Sequence, residues 1–483
     1  MNEASASGDS ARTSVGVALL PTLLALEFFA GVIQGWIGPL LGEIGSHYGI
    51  TGGDLGWVIA VGLLSSAVSV PLMTNLADRF GPRRLLVVAA SLTAAGSLLI
   101  AVAPTFTFLI VGSVVQGPMA AMLPIEMSLL KRHRPDTANR AVGVLVGALT
   151  LGVALGALTS GYLMEAVDDL VVTQLIGAAP LVVMTVVVGL VVPATAGDPG
   201  RAVDWAGAGT LGVALIGVMS GLAAGTNVGW TSPSTLAPLV VGVALLLLFL
   251  VVENRARMPL FDVKVLRQAR LGVPLLLGAL VSMPLFGSVT PTVLYLGADP
   301  AESGYGAGVS TGAIGGVFAF TVSFLTAGTL VAPLVVRWLG VRLAVCLACL
   351  VPVVGLAVLA TGPSGTLVVA ALFSLNSLGT GIALAVLPGV VIDRAPQSAP
   401  ASVSGLYNTG RTLGGSLAGA LVATIMATLV TATGGTPLHA FQVIWYVFAG
   451  ILVAAALLAL LLGSPRPRDT SAPTAEPARI GAL

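Results

Sequence analysis

The chain has 483 residues, 56% of them hydrophobic and only 8% charged, with a mean hydropathy of +1.02; soluble domains carry roughly 25% charged residues. That composition excludes a disordered chain and a disulfide-built extracellular domain and reads as an integral membrane protein. The 21 Lys+Arg and 20 Asp+Glu nearly cancel, so net charge points to neither a nucleic-acid partner nor an acidic substrate, and the placement of charge carries the information.

A helix needs about 20 apolar residues to cross a hydrocarbon core about 30 Å thick. By that measure the apolar runs predict fourteen spans, at about 15–41, 55–77, 85–103, 106–130, 140–164, 171–193, 205–225, 235–253, 271–296, 306–336, 343–361, 366–391, 402–430 and 438–463. The first run is long and lacks an A-x-A-type cleavage site, so it is expected to stay as a helix. With the N-terminus placed in the cytoplasm, twenty of the 21 basic residues fall inside, from Arg12 through the Arg79–Arg84 turn and Lys131 to Arg479. Glu43, Asp54, Glu165, Asp168, Asp169, Asp299 and Glu302 fall outside. This is the positive-inside pattern. It predicts a multi-pass protein of the plasma (inner) membrane with both termini cytoplasmic.

The two longest cytoplasmic breaks, Ala194–Asp204 and Glu253–Arg270, divide the chain. The expected order is a cytoplasmic tail (1–14), a six-helix bundle (15–193), a two-helix insertion with its linkers (194–270), a second six-helix bundle (271–463) and a C-terminal tail (464–483). This is an all-α 6+2+6 arrangement of two pseudo-symmetric bundles. A faint echo supports the repeat: Asp78-Arg79-Phe80-Gly81-Pro82-Arg83 follows the second span of one bundle, and Arg337-Trp338-Leu339-Gly340-Val341-Arg342 follows the second span of the other. Parallel repeats of this kind place a solute site between the halves, near the midplane.

Asn75–Arg84 resembles the signature loop between helices two and three of the major facilitator superfamily, with Thr74 where the first glycine is usual. Glu253–Val263 and Ser402–Gly415 resemble the linker and the penultimate helix of its fourteen-helix drug:proton antiporter branch. The resemblance implies the MFS fold and proton-coupled efflux of hydrophobic drugs or metabolites by alternating access. Gly81 suits a tight turn and Asp78, near a helix end, can pair with guanidinium groups, so Asp78, Arg79, Gly81, Arg83 and Arg84 form a candidate conformational gate. Two departures bear on the antiport mechanism. Ser113 replaces the arginine of an R-x-x-Q-G motif, and the glycine-spaced stretch containing Gly152, Gly156 and Gly161 has Ala157 and Ser160 where proline and glycine are usual. The glycines remain a packing seam expected at the interface between halves.

Ionisable residues inside a membrane are costly and mark function. Glu27 lies near the midplane of the first span and is the candidate proton-coupling acid. Arg411 lies deep in the penultimate span, able to bind an anionic group, neutralise a carboxylate or snorkel to the interface. Glu126, close to Lys131, is expected to pair with the basic cytoplasmic gate. Gln34, Trp36, Gln116, Met119, Asn376 and Asn408 complete the candidate substrate cavity.

Cys346 and Cys349 sit in an apolar run, and His47, His133 and His439 lie in or beside polar breaks, so no metal site is expected. Neither lysine follows a G-x-x-x-x-G-K-[ST] loop, and no loop is long enough for a catalytic domain. The expectation is a monomeric transporter, not an enzyme, without cofactor, drawing on the proton gradient; its partners are a small-molecule substrate, protons and the lipid bilayer. Two rivals are a facilitator or importer of a specific solute, and a membrane sensor or scaffold that transports nothing.

Overall fold

The computed structural model describes residues 3–133, 138–200, 203–255, 271–394, 400–430 and 436–462. The linker residues 256–270 and the tail 463–483 lie outside the described residues. Among the described residues all regular structure is helical.

The first block holds α1 (Glu3–Trp36), α2 (Leu41–Tyr48), α3 (Gly52–Phe80), α4 (Pro82–Ala101), α5 (Phe106–Gln116), α6 (Met122–His133), α7 (Ala138–Val167) and α8 (Leu170–Val191). A hairpin of α9 (Trp205–Val228) and α10 (Pro233–Arg255) follows. The second block holds α11 (Gly272–Gly287), α12 (Val289–Gly297), the short α13 (Pro300–Ser303), α14 (Thr311–Leu359), α15 (Thr366–Arg394), α16 (Pro400–Thr428) and α17 (Leu438–Ala459).

Twelve of these segments are long and apolar enough to cross a membrane. That number treats Thr311–Leu359 as a single 49-residue helix and leaves out α16. Inside Thr311–Leu359, Gly340 has φ 75° and ψ 164°, which breaks the helix in two. Gly81 has a similar conformation, φ 98° and ψ 134°, between α3 and α4. The likeness extends to the arginines of the two turns. Arg83 donates to the Gly189 carbonyl near the end of α8, and Arg342 Nε donates to the Leu462 carbonyl just past α17 at 3.0 Å. In each block a guanidinium therefore satisfies a carbonyl at the end of the last helix, where intrahelical partners run out.

Polar residues set several helix starts. Thr51 and Asp54 form a capping box, with the Thr51 N–H donating to Asp54 Oδ2 at 3.1 Å. Asp169 and Asp204 cap α8 and α9 by accepting from Val172 N at 2.9 Å and Gly207 N at 2.7 Å. Between α5 and α6 the chain tightens into a 3-10 turn, Gly117–Ala121, opened by Pro118. Gly117 sits here against Ser65, and Ser66 Oγ donates to the Gly117 carbonyl at 3.1 Å.

The blocks meet along two helix pairs. On α3 and α16, Gly53 faces Ala427, Gly56 faces Ala423 and Gly419 faces Ala60, and Ser416 Oγ donates to the Ala60 carbonyl at 2.7 Å. On α7 and α14, Gly161 meets Thr311 and Gly315 meets Ala157. All these contacts lie toward the end of the molecule that carries α2. The hairpin packs beside the first seam, where Ala208, Leu211, Leu215 and Met219 share a core with Ala60, Leu64 and Ala420.

Candidate functional site

Glu27 is the central residue of the span Ala18–Trp36 and is only 2% exposed. The 3-10 turn before α6 sets the phase of that helix so that Glu126, fully buried at 0%, presents its carboxyl to Glu27. Leu23, Leu26, Ala30, Met122, Ile125 and Leu129 form the apolar core of this block. Glu27 Oε1 and both oxygens of Glu126 lack a formed hydrogen bond. No basic side chain among the described residues compensates the pair.

Two unit charges ~4 Å apart repel by about 4 kcal/mol at an effective dielectric of 20. Buried polar groups normally find partners, and two facing acids without a cation can share a proton between them. A proton held by either carboxyl removes the repulsion.

Glu126 was expected beside the basic gate. The structure turns it inward, because Glu126 lies on the apolar face of α6 with Met122, Ile125 and Leu129, while Lys131, Arg132 and His133 are exposed at the helix end.

The gate loop stands apart from the acids. Gly81 lies against the Thr195 carbonyl and Gly197 against the Arg79 carbonyl. The Asp198 N–H donates to the Asp78 carbonyl at 2.9 Å, and Arg132 Nη1 donates to the Ala196 carbonyl at 2.9 Å. Arg79 stacks its guanidinium on Phe80 at 5.3 Å, and Arg84 is exposed. The segment after α8, residues 195–198, is thus the loop's main partner.

The candidate cavity residues divide into separate groups. Trp36 and Gln116 come together with Ser97 and Gln174 around a small cavity inside the first block, where Gln116 Nε2 donates to Ser97 Oγ at 2.8 Å. Met119 packs against the core that holds the acid pair. Gln34 is exposed, and Asn376 is buried in α15 with its Oδ1 unpartnered. Asn408 and Arg411 lie one turn apart on α16. Arg411 Nε donates to Ser282 Oγ at 3.3 Å and its guanidinium lies 5.9 Å from the Tyr407 ring centre. Of the seam glycines, Gly152 and Gly156 press on the Phe28 and Val32 carbonyls of α1 within the first block, and Gly161 reaches α14 of the second.

Sequence reasoning missed four contributors. Ser97 and Gln174 signal themselves only as isolated polar residues in spans. Glu43 and Glu165, assigned by the charge pattern only to the outer breaks, grip the start of α14. Glu43 Oε1 accepts from Thr311 Oγ1 at 2.9 Å, and Glu165 Oε1 accepts from the Gly312 N–H at 2.7 Å.

The family model of the Major Facilitator Superfamily matches residues 23–419. The chain belongs to the Major Facilitator Superfamily. Solved structures agree in fold: the nucleoside transporter NupG aligns with a TM-score of 0.62 at 14% identity, over 92% of this chain and 98% of that one. A bacterial homolog of the lysosomal transporter Spinster aligns with a TM-score of 0.63 at 13% identity, over 93% of this chain and 96% of that one.

Among curated relatives, the methylenomycin A resistance protein of Bacillus subtilis is 25% identical over 415 residues, 83% of this chain and 86% of the relative. The tetracenomycin C resistance and export protein of Streptomyces glaucescens is 27% identical over 259 residues, 52% of this chain and 48% of the relative. The MFS-type transporter YhcA of Bacillus subtilis is 21% identical over 294 residues, 60% of this chain, and the match spans 55% of the relative's length.

Proposed function

We propose that this protein is a proton-coupled exporter of hydrophobic drugs or metabolites, a multi-pass protein of the cell membrane working by alternating access. The observation that carries the reading is the buried, uncompensated pair Glu27 and Glu126 in the core of the first block. Relatives named for antibiotic resistance and export support the direction of transport. Proton and solute compete: loading the acids with a proton releases the solute, and proton loss resets the carrier. The proton gradient is then the sole energy source, no cofactor is needed, and one chain suffices.

The architecture proposed is fourteen crossings as 6+2+6. In support, Gly340 divides a 49-residue helix more than twice the length of one crossing, and α16, 29 residues long, lies against α3. Arg79, Arg83, Lys131, Arg337 and Arg394 gather at helix ends opposite those of Glu43, Asp54, Glu165 and Glu302, which supports cytoplasmic termini. The block contacts then close the outer end, and the Asp78–Arg84 loop works at the inner end as the conformational gate.

Everted vesicles test the coupling. Addition of substrate to energised vesicles should collapse part of the pH gradient, and Glu27→Gln should abolish that response while inserting normally. Uphill transport by Glu27→Gln at the wild-type rate would overturn the assignment.

A further inference from the structure

Arg411 is half-buried in α16, and no carboxylate among the described residues pairs with it. Its contacts are neutral: Nε donates to Ser282 Oγ at 3.3 Å, and the Tyr407 ring lies 5.9 Å from the guanidinium carbon. The buried acids Glu27 and Glu126 face each other in the other block, so neither serves as its counter-ion. A guanidinium carries five donors in a planar fork. Only the Nε donor meets a protein acceptor among the described residues, which leaves the two-pronged Nη end available. That end matches a carboxylate or another planar oxyanion in bidentate fashion.

Two further observations point to a ligand. The Tyr407 hydroxyl, on a residue 4% exposed and one turn from Arg411 on the same helix face, has no hydrogen-bond partner. Arg411 also lies one turn before Gly415, which meets Leu63 of α3 and Phe286 of α11, and the closed seam continues from there through Ser416 and Gly419. On the other side of Arg411 the packing loosens: the nearest atom to a Cβ at Gly410 is the Leu275 carbonyl at 3.8 Å, and nothing lies within 4 Å of one at Gly405. The charge therefore stands where the two blocks begin to part, with Leu63, Phe286 and Tyr407 as apolar surface nearby.

We propose that Arg411, assisted by Tyr407, anchors an anionic oxygen group on the transported solute, so that this site takes amphipathic organic acids in preference to lipophilic cations. The inference rests on the reading of the chain as an exporter with its solute site between the blocks. It adds the sign of charge of the cargo and the residue that recognises it.

Equilibrium binding to the purified full-length protein in neutral detergent tests this without any gradient. The probes are anthracene-9-carboxylate and 9-anthracenylmethylammonium, matched in shape and opposite in charge. The carboxylate should bind wild type at least tenfold tighter than the ammonium. Arg411→Gln should weaken the carboxylate about tenfold and leave the ammonium unchanged or tighter. Arg411→Lys should fall between, because it keeps the charge and loses the fork, and Tyr407→Phe should weaken the carboxylate severalfold.

Equal affinities for the two probes, tighter binding of the ammonium, or an unaffected Arg411→Gln would each overturn the proposal. Displacement of the carboxylate by equimolar phosphatidylglycerol would also overturn it, by making Arg411 a lipid-headgroup site. If Arg411→Gln does not fold, the wild-type preference and the Arg411→Lys value decide. Probe binding needs no gradient, so failure of the coupling scheme, read from Glu27→Gln in energised vesicles, and failure of this inference are separately visible.

Discussion

Glu165 Oε1 accepts a hydrogen bond from the Gly312 backbone N–H at 2.7 Å, tying the last turn of α7 in one block to the first turn of α14 in the other. Glu43 reinforces the tie by accepting from Thr311 Oγ1 at 2.9 Å. Free N–H groups at a helix start carry partial positive charge, and an acid from elsewhere in the chain can supply their acceptor. Here that acid belongs to the opposite block, so the cap of one helix doubles as a latch across the end of the molecule that carries α2.

Loosening of the latch should be measurable as a population shift. An acid at a helix N-terminus contributes about 1 kcal/mol, or roughly a fivefold change in an equilibrium. Glu165→Gln combined with Glu43→Gln should therefore favour the form open at that end about fivefold or more. Spin labels at Ala166→Cys and Ala301→Cys, with Cys346 and Cys349 replaced by Ser, would report this as a larger long-distance fraction. An unchanged distance distribution would show that the seam glycines alone hold the end shut.

The facing acids make a stability prediction opposite in sign to the functional one. Glu126→Gln removes one of two uncompensated buried carboxyls, so the protein should melt higher, by a gain on the order of 1 kcal/mol, while proton-coupled transport falls. In a double-mutant cycle the Glu27→Gln and Glu126→Gln effects on melting should not add, because either substitution alone relieves the same repulsion. Additive shifts would mean that the two acids act independently.

The glycine seams should be intolerant where backbones touch and indifferent where they do not. A Cβ at Gly156 would run into the Val32 carbonyl, whereas nothing lies within 4 Å of one at Gly147 on the same helix. Gly156→Ala should destabilise by about 1–3 kcal/mol through overpacking, and Gly147→Ala should be neutral or stabilising by about 0.5–1 kcal/mol. Thermal melting monitored by size-exclusion chromatography separates the two outcomes.

The two glycine turns should also differ. Gly340 has open space around a would-be Cβ, so Gly340→Ala meets only the strain of a positive φ, about 1–2 kcal/mol. Gly81→Ala meets the same strain and the Thr195 carbonyl as well. The Gly81 variant should therefore melt lower than the Gly340 variant.

Composition and run length were enough to establish a polytopic helical membrane protein, because burial in lipid requires about 20 apolar residues per crossing and nearly all of the 8% of charged residues gather at the breaks. The likeness of the two turns was legible from one glycine and one arginine in register, since Gly81 and Gly340 both adopt a positive φ that other residues resist. Glu27 stood out as an acid in mid-span, for the same energetic reason.

What linear spacing cannot convey is which face of a helix meets which neighbour. Seven residues from the end of its helix, Glu126 looked like a member of the basic gate, and the 3-10 turn at Gly117–Ala121 rotates it onto Glu27. Glu165 and Glu43 read only as acids at the outer breaks, and only the docking of α7 and α2 against α14 makes them caps for another block. Arg411 could have neutralised Glu27; the fold holds them in different blocks and leaves the guanidinium beside Tyr407. Hydropathy is a property of each segment and survives without the fold, but a partner is a property of two segments far apart in the chain, and packing alone assigns it.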